Sequence, residues 1–347
     1  MTLLNVHEYV EAARERVAPE VWCYFEGGAA DEVTLRANVA AYARWRLRPR
    51  MLVDVSEVSL ATTLLGTEVS MPLGIAPFAM QRLICDEGEA ATARAAEAAG
   101  VLMTVSTLTT RTHGDIAAAA PSGPRWLQLY VLRDRQKTLD HIAEAREAGY
   151  GAVVLTVDLP YLGRRERDLR LGFNNPPHDI ELPYATLFET TPGLTWRDIE
   201  WIRSELDLPL AVKGILTRED AALAVEHGAD AVWVSNHGGR QLDGVAAGLD
   251  ALPEVVEAVA GRCEVYVDGG IRRGGDVLKA LALGADAAFA GRAFACGLAV
   301  GGEQGVADVL ALLRAELELG LGLLGCVSPA AVTRGHVEPT VPYDPVA

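Results

Sequence analysis

From Pro72 onward the chain alternates between two kinds of pattern. Short runs of consecutive apolar, often β-branched residues fall at 72–76 (PLGIA), 102–106 (LMTVS), 126–130 (WLQLY) and 152–157 (AVVLTV). Four more follow at 210–214 (LAVKG), 231–235 (AVWVS), 264–268 (EVYVD) and 286–291 (DAAFAG). A strand that is apolar without alternation is covered on both faces, as in a parallel sheet wrapped by helices. Between the runs lie Ala-rich segments that end at glycine, such as EAATARAAEAAG, REDAALAVEHGAD and GDVLKALALGAD, and these read as helices. Eight strand–helix units, with the ending helix–Gly–Ala–Asp–strand repeated, predict an α/β chain closed into a (β/α)8 barrel. A doubly wound open sheet would carry a GxGxxG turn after an early strand, and none is found.

Residues 1–71 precede the first barrel run and predict two helices followed by a β-hairpin that caps one end of the barrel. Residues 72–347 form the barrel itself, and the whole is one structural domain. The segment 174–193 (NNPPHDIELPYATLFETTPG) breaks the rhythm with Pro, Asn and Thr after the fourth run. Two readings stay open for it: a lid over the active face, or a disordered surface insertion.

Composition narrows the function. A formal charge of −16 argues against non-specific binding to nucleic acid or to an anionic membrane. An anionic substrate would therefore need a local cationic site set against the global field. The five cysteines lie far apart with no CxxC spacing, which suits reduced thiols in the cytoplasm. The start MTLLNVHEYVEAARERV lacks the basic and apolar blocks of a signal peptide. The most apolar stretch, 278–300, is broken by Lys279, Asp286 and Arg292 and reads as helix–strand–helix, not as a membrane span. No HxE or HExxH spacing suggests a metal site.

In a barrel the chemistry sits at the C-terminal strand ends. Here those ends supply Ala76, Pro77, Phe78 and Ala79, then Ser106, Gln128 and Tyr130, then Thr156 and Asp158. The densest signal is SNHGGRQLDG, 235–244. His237 exchanges a proton near neutral pH, as a general base must. Gly238 and Gly239 permit a tight turn that returns Arg240 to the same pocket. The other six histidines lie on predicted helices or loops without such company. In TVDLPYLGRRERD, Asp158 is placed to orient His237, and Arg165 to clamp a carboxylate together with Arg240. Arg164, Arg167 and Arg170 read as a solvated helix start. VDGGIRRGGDV and AGRAF bring Asp268, Gly270 and Gly291 to strand ends and put glycine-rich turns before two helices, an anion site for a phosphorylated substrate or cofactor to which Arg272 or Arg292 adds charge. Lys213 is open to two roles, a Schiff base or a charge beside a reduced cofactor ring.

SNHGGRQLD, taken with LTVDLPYLGRRERD, VKGILTREDA, VDGGIRRGGDV and ALALGADAAFAGR, resembles the FMN-dependent 2-hydroxy-acid oxidase and dehydrogenase family. That family includes glycolate, lactate and mandelate oxidases. The resemblance runs over nearly the whole chain from VWCYFEGGAADEVTLRAN at 21–38. It implies FMN as cofactor and oxidation of an (S)-2-hydroxy acid to the 2-keto acid, with dioxygen reduced to hydrogen peroxide. It implies His237 as base with Asp158 as its partner, and Arg165, Arg240 and Tyr24 on the carboxylate. Tyr130 is implied beside the substrate hydroxyl, and Lys213 beside flavin N1, which removes the Schiff-base reading. Pro77, Phe78, Ala79, Ser106, Gln128, Thr156 and Ser235 match flavin contacts, and the glycine-rich cluster matches the ribityl and phosphate contacts. The histidine serves equally whether it takes the hydroxyl proton or the α-proton.

Departures from the family refine these expectations. Leu108 stands where glycolate oxidase has an aromatic residue. With Phe78 and Tyr161 it implies a roomier apolar pocket, suited to mandelate-like or longer aliphatic acids. The short loop at 174–193 carries Asp179, Glu181 and Glu189 and favours a soluble cytoplasmic enzyme. Ala79 follows the oxidase pattern. Family members are often tetramers, so a homotetramer is expected. Alternatives are a dehydrogenase of the same family with another electron acceptor, an FMN barrel of isomerase type, and a non-catalytic flavin-binding protein. The last two would not need His237, Arg240 and Arg165 together.

Overall fold

The computed structural model describes residues 2–173, 180–185 and 189–340. Three short strands precede the barrel: β1 (Trp45–Leu47), β2 (Thr62–Leu64) and β3 (Thr67–Val69). The eight apolar runs then form β4 (Leu73–Ile75), β5 (Met103–Val105), β6 (Arg125–Leu129), β7 (Val153–Thr156), β8 (Leu210–Ile215), β9 (Ala231–Val234), β10 (Glu264–Asp268) and β11 (Ala287–Ala290). They pair in parallel and in chain order, and β11 closes the ring on β4. A last strand, β12 (Val337–Pro339), runs antiparallel to β1. The (β/α)8 barrel expected from the pattern is the fold.

Inside the ring, large and small side chains interdigitate. Trp126, Trp233, Tyr266 and Phe289 are fully buried beside Ala152, Ala211, Ala231 and Ala287. Gly74 shows why the small residues are needed, since a Cβ there would lie 2.3 Å from the Phe289 ring. The hairpin β2–β3 adds Leu64 and Val69 to this cluster and so plugs the barrel interior. The repeated Gly–Ala–Asp endings have a shared purpose. Asp230 Oδ2 accepts from the Leu210 amide at 2.9 Å, and Asp286 Oδ2 from the Val265 amide at 2.7 Å, so each pins the start of a neighbouring strand.

The N-terminal part holds three helices rather than two: Val6–Arg16, Pro19–Glu26 and Val33–Ala40. The third is short, contains two valines and a threonine, and starts from Glu32 in the left-handed region (φ +59°), so the hydrophobic pattern did not mark it. The second and third helices lie at the mouth of the barrel, where the C-terminal strand ends converge. Tyr24 and Phe25 come from the second, and Asn38 of the third exchanges hydrogen bonds with Asn236 after β9 at 2.8 Å.

Residues 174–179 and 186–188 of the predicted loop lie outside the described residues. Its other parts are packed on the protein. Ala185 is buried, the Arg133 amide donates to the Glu189 carbonyl at 2.8 Å, and Thr190 bridges to Leu132.

Candidate active site

The strand ends and the second helix enclose a cleft of about 1000 Å³, including its open mouth, at the upper end of the ~300–1,000 Å³ usual for ligand and cofactor sites. Its floor is a hydrogen-bonded chain. Lys213 at the end of β8 donates from Nζ to Ser235 Oγ at 2.8 Å, and Ser235 Oγ donates to Asp268 Oδ1 at 2.8 Å. Lys213 Nζ also lies 3.3 Å from Asp268 Oδ2, which accepts from Trp233 Nε1 at 3.0 Å. A buried ammonium is thus matched by a buried, fully bonded carboxylate. Ser235 does not line the cleft; it acts from beneath, between the two charges.

Along one wall, Gln128 Oε1 accepts from Ser106 Oγ and from the Thr107 amide, both at 3.2 Å. That fixes the amide and leaves Gln128 Nε2 buried without a partner among the described residues, and Thr156 Oγ1 is in the same position. Buried polar atoms are rarely left unpaired, so both call for a bound group with polar edges. Beside the floor lysine and the Ala76–Ala79 segment, a flat heteroaromatic ring meets that need. At the far end, Gly269 and Gly270 turn with φ of +96° and +85°, and a Cβ on Gly270 would fall 2.0 Å from the Asn38 carbonyl. Gly291 caps the helix that begins at Arg292, and both residues line the cleft, which places a helix N-terminus at this end, as suits a phosphate. Arg272 lines this end. The donor set fits FMN.

Arg292 lines the same end, and its guanidinium also binds the protein itself. Its guanidinium donates to the carbonyls of Phe25 at 3.0 Å, Gly238 at 2.9 Å and Gly27 at 3.0 Å, strapping the second helix to the His237 turn. Burial, with Arg240 nearby, lowers its pKa to about 9.

Opposite the floor, His237 sits in the left-handed region (φ +59°), an uncommon conformation for a side chain with a Cβ. Its amide donates to Ser235 Oγ at 3.1 Å, and Nδ1 lies 2.8 Å from Asp158 Oδ1. The next turn needs glycine, because a Cβ on Gly239 would meet the Leu35 amide at 2.6 Å. Burial lowers the His237 pKa below its ordinary value; Asp158 pulls it up, while Lys213 and Arg165 push it down. For Asp158, burial would raise the pKa, but His237 and Lys213 hold it below the usual carboxylate value. The result is a neutral imidazole bonded through Nδ1–H to an ionised carboxylate, a tautomer that follows from this bond and leaves Nε2 as the free acceptor.

Two arginines complete this end. Arg165 is 7% exposed, with Nε 3.4 Å from the Arg240 carbonyl, and burial beside Arg240 lowers its pKa to about 10. Arg240 donates from Nη1 to the Tyr24 carbonyl and, at 3.0 Å, to that of Gly27, and its guanidinium lies 4.9 Å from the Tyr24 ring. Among the described residues neither arginine has a carboxylate within ion-pair distance. Two neighbouring guanidinium groups with no carboxylate in direct contact form a ready site for a substrate carboxylate. Tyr130 projects beside them, its hydroxyl pKa raised by burial and by Asp158, so it stays a proton donor. Leu108, Tyr130 and Leu159 form a small apolar wall against which Ala79 and Leu182 pack.

Most of the residues expected from sequence meet in this cleft. Asp158 acts from behind His237 rather than from the lining. One expectation is corrected: Tyr161 does not line the cleft and is 77% exposed. The chain bends at Pro160–Tyr161, where Gln241 Nε2 holds the Tyr161 carbonyl at 2.8 Å, and Leu159 takes the wall instead. Phe25, Leu159, Ile271 and Phe289 also line the cleft without having been singled out. For Phe25, its place beside Tyr24 was the available signal.

A (β/α)8 barrel whose mouth fits FMN and sets a half-buried His–Asp couple beside two arginines without an ion pair among the described residues defines a class: flavin enzymes acting on small carboxylic acids. The chain belongs to the FMN-dependent dehydrogenase family, which it matches over residues 13–339, and within it to the FMN-dependent 2-hydroxy-acid oxidases. It is 48% identical to L-lactate oxidase of Nostoc sp., over 93% of this chain and 94% of that one. It is 44% identical to human 2-hydroxyacid oxidase 1, over 93% of each chain. A crystal structure of mandelate oxidase superposes with a TM-score of 0.94 at 43% identity, over 98% of this chain and 99% of that one. A mandelate oxidase variant solved with (S)-mandelic acid gives a TM-score of 0.92 at 44% identity, over 98% of this chain and all of the other. No helix among the described residues is long and apolar enough to cross a membrane, and no group of three or more His, Cys, Asp or Glu among them suits a metal ion.

Proposed function

We propose that this protein oxidises an (S)-2-hydroxy acid with an apolar, mandelate-like or longer aliphatic side chain to its 2-keto acid, using dioxygen as acceptor and releasing hydrogen peroxide. The observation that carries this reading is the His237–Asp158 pair, joined at 2.8 Å, beside buried Arg165 and half-buried Arg240, neither of which has a carboxylate at ion-pair distance among the described residues. When bound, FMN supplies the two-electron acceptor. Gln128, Thr156, Ser106 and Lys213 would hold its ring, and Gly270, Arg272 and Gly291 its phosphate end.

Arg165, Arg240 and Tyr24 fix the substrate carboxylate, placing its α-carbon toward the ring. Tyr130 donates to the hydroxyl oxygen. His237 Nε2 takes a proton from the substrate, and Asp158 stabilises the imidazolium that results. Lys213 favours negative charge nearby. Each turnover converts one hydroxy acid and one dioxygen into one keto acid and one hydrogen peroxide.

The apolar wall of Leu108 and Leu159 supports the substrate class, as does the likeness to a mandelate oxidase solved with (S)-mandelic acid. A homotetramer in the cytoplasm completes the proposal. Exposed Met51, Leu52, Leu319 and Leu323 support association: the Arg50 amide donates to the Leu324 carbonyl at 2.9 Å, which brings the two segments together.

The test is anaerobic bleaching of the flavin spectrum by (S)-mandelate, (R)-mandelate, (S)-lactate, glycolate and a longer aliphatic acid, followed by readmission of air. The reading expects fast bleaching by (S)-mandelate or the longer acid, then prompt recolouring with peroxide. Slow recolouring without peroxide would move the enzyme to the dehydrogenases. Bound flavin that no 2-hydroxy acid bleaches would refute the reaction.

A further inference from the structure

Outside the cleft, on two separate helices of the barrel wall, His113 and His141 stack on each other with ring centroids 4.9 Å apart. Tyr184, from the segment after β7, lies flat over both, 4.4 Å from each imidazole and within 17° of parallel. Its hydroxyl accepts from the His113 amide at 2.7 Å. Among the described residues the one side-chain bond to either ring is between His113 Nδ1 and the Tyr150 hydroxyl, at 3.1 Å. His113 Nε2 and both nitrogens of His141 are buried without hydrogen-bond partners among the described residues. Burial keeps both imidazoles neutral, so they present an uncharged aromatic slab to the tyrosine.

None of the three rings lines the cleft. Two residues before Tyr184, however, Leu182 packs against the wall of Leu108, Tyr130 and Leu159. Two residues span at most roughly 7 Å of extended chain, so fixing one end tightly limits the other. We propose that Tyr184, seated on His113 and His141, is a positioning residue for substrate side-chain selection that acts by holding Leu182 against the apolar wall of the cleft. This rests on the proposed function for the identity of the substrate. The stack acts from behind this wall, without touching the reacting atoms. Loss of the anchor lets Leu182 move off and loosens the wall it backs, so a ring-bearing substrate loses apolar contact with Leu108 and Leu159 while a substrate without a side chain loses nothing.

The test compares holoenzymes, matched by flavin absorbance, carrying Tyr184→Leu, Leu182→Ala and both. The first readout is kcat/KM for (S)-mandelate divided by that for glycolate. The second needs no turnover: the affinity for phenylacetate relative to acetate, read from perturbation of the flavin spectrum. Each single variant is expected to lower both ratios by about tenfold or more, the scale of lost contacts in an apolar pocket. The double variant is expected to match Leu182→Ala alone, since the two side chains act in series. Unchanged ratios in Tyr184→Leu, or effects that multiply in the double variant, overturn the proposal. Should Tyr184→Leu fail to hold FMN, His141→Ala removes half of the seat and is judged on the same ratios. If the wild type bleaches with no hydroxy acid, the functional reading fails, yet the binding ratio still decides whether Tyr184 positions Leu182.

Discussion

Half-buried His237 and the buried pair His113–His141 are imidazoles in two regions of one barrel, and their surroundings differ in two respects. His237 has Asp158 bonded to Nδ1 at 2.8 Å and lines an open cleft. His113 and His141 have no carboxylate partner and lie face to face under Tyr184, closed off from the cleft. Burial lowers the proton affinity of all three, to about 2 for His113 and about 4 for His141. Only at His237 does an anion oppose that effect. Burial therefore makes a histidine neutral, whereas a carboxylate on one nitrogen and access on the other make it a base. The same side chain is catalytic machinery in one region and aromatic packing in the other.

The sharpest way to break the comparison is to remove His237. His237→Ala should slow flavin reduction by about 10⁴-fold, the upper end for a positioned base, while FMN stays bound. Rapid-mixing spectrophotometry reads both. Asp158→Asn should cost less, about 10²-fold, because the ring stays in place but loses the charge that stabilises its protonated form.

The pH profile sharpens the same point. His237 acts as the neutral form and its pKa lies below the ordinary value, so kcat/KM should hold through neutral pH and fall only as acid protonates the ring. In Asp158→Asn the upward pull of the carboxylate is gone, so this acid limb should move to lower pH. A limb that moves to higher pH would contradict the assigned pair.

The smallest effect belongs to the stacked pair. His141 is held neutral when folded and titrates normally when unfolded, so its contribution to stability is full above about pH 6.5 and is lost as pH falls toward 4. The slope is up to about 1.4 kcal/mol per pH unit. His141→Leu removes that dependence and two unpaired ring nitrogens, so thermal unfolding should become less acid-sensitive between these pH values, with stability at pH 7 kept or raised. An unchanged acid dependence would mean that His141 is not the neutral, packed group described.

How much of this was legible in the sequence depended on which force placed each residue. The barrel strands were, because burial on both faces leaves runs such as AVVLTV without alternation. The core of the site was as well, because polar residues at successive strand ends converge by topology alone. Where a local bend decides, the pattern misleads: LPYLG offers Tyr161 as the pocket residue, yet the turn after Pro160 sends it to solvent and leaves Leu159 inside. Arg292 stands in a phosphate-site motif, but nothing in that motif reveals the carbonyls of Phe25 and Gly27 that engage it. The His113–His141–Tyr184 stack was invisible, since its members come from two helices and a loop and meet only through tertiary packing.

The most direct test of the central claim is the anaerobic reaction of (S)-mandelate with wild-type holoenzyme and with His237→Ala at equal flavin content, followed at the visible flavin band. The expected result is rapid, complete bleaching in the wild type and a rate about 10⁴-fold lower in the variant, with the substrate still bound. Equal bleaching rates in the two proteins would contradict the assignment of His237 as the base.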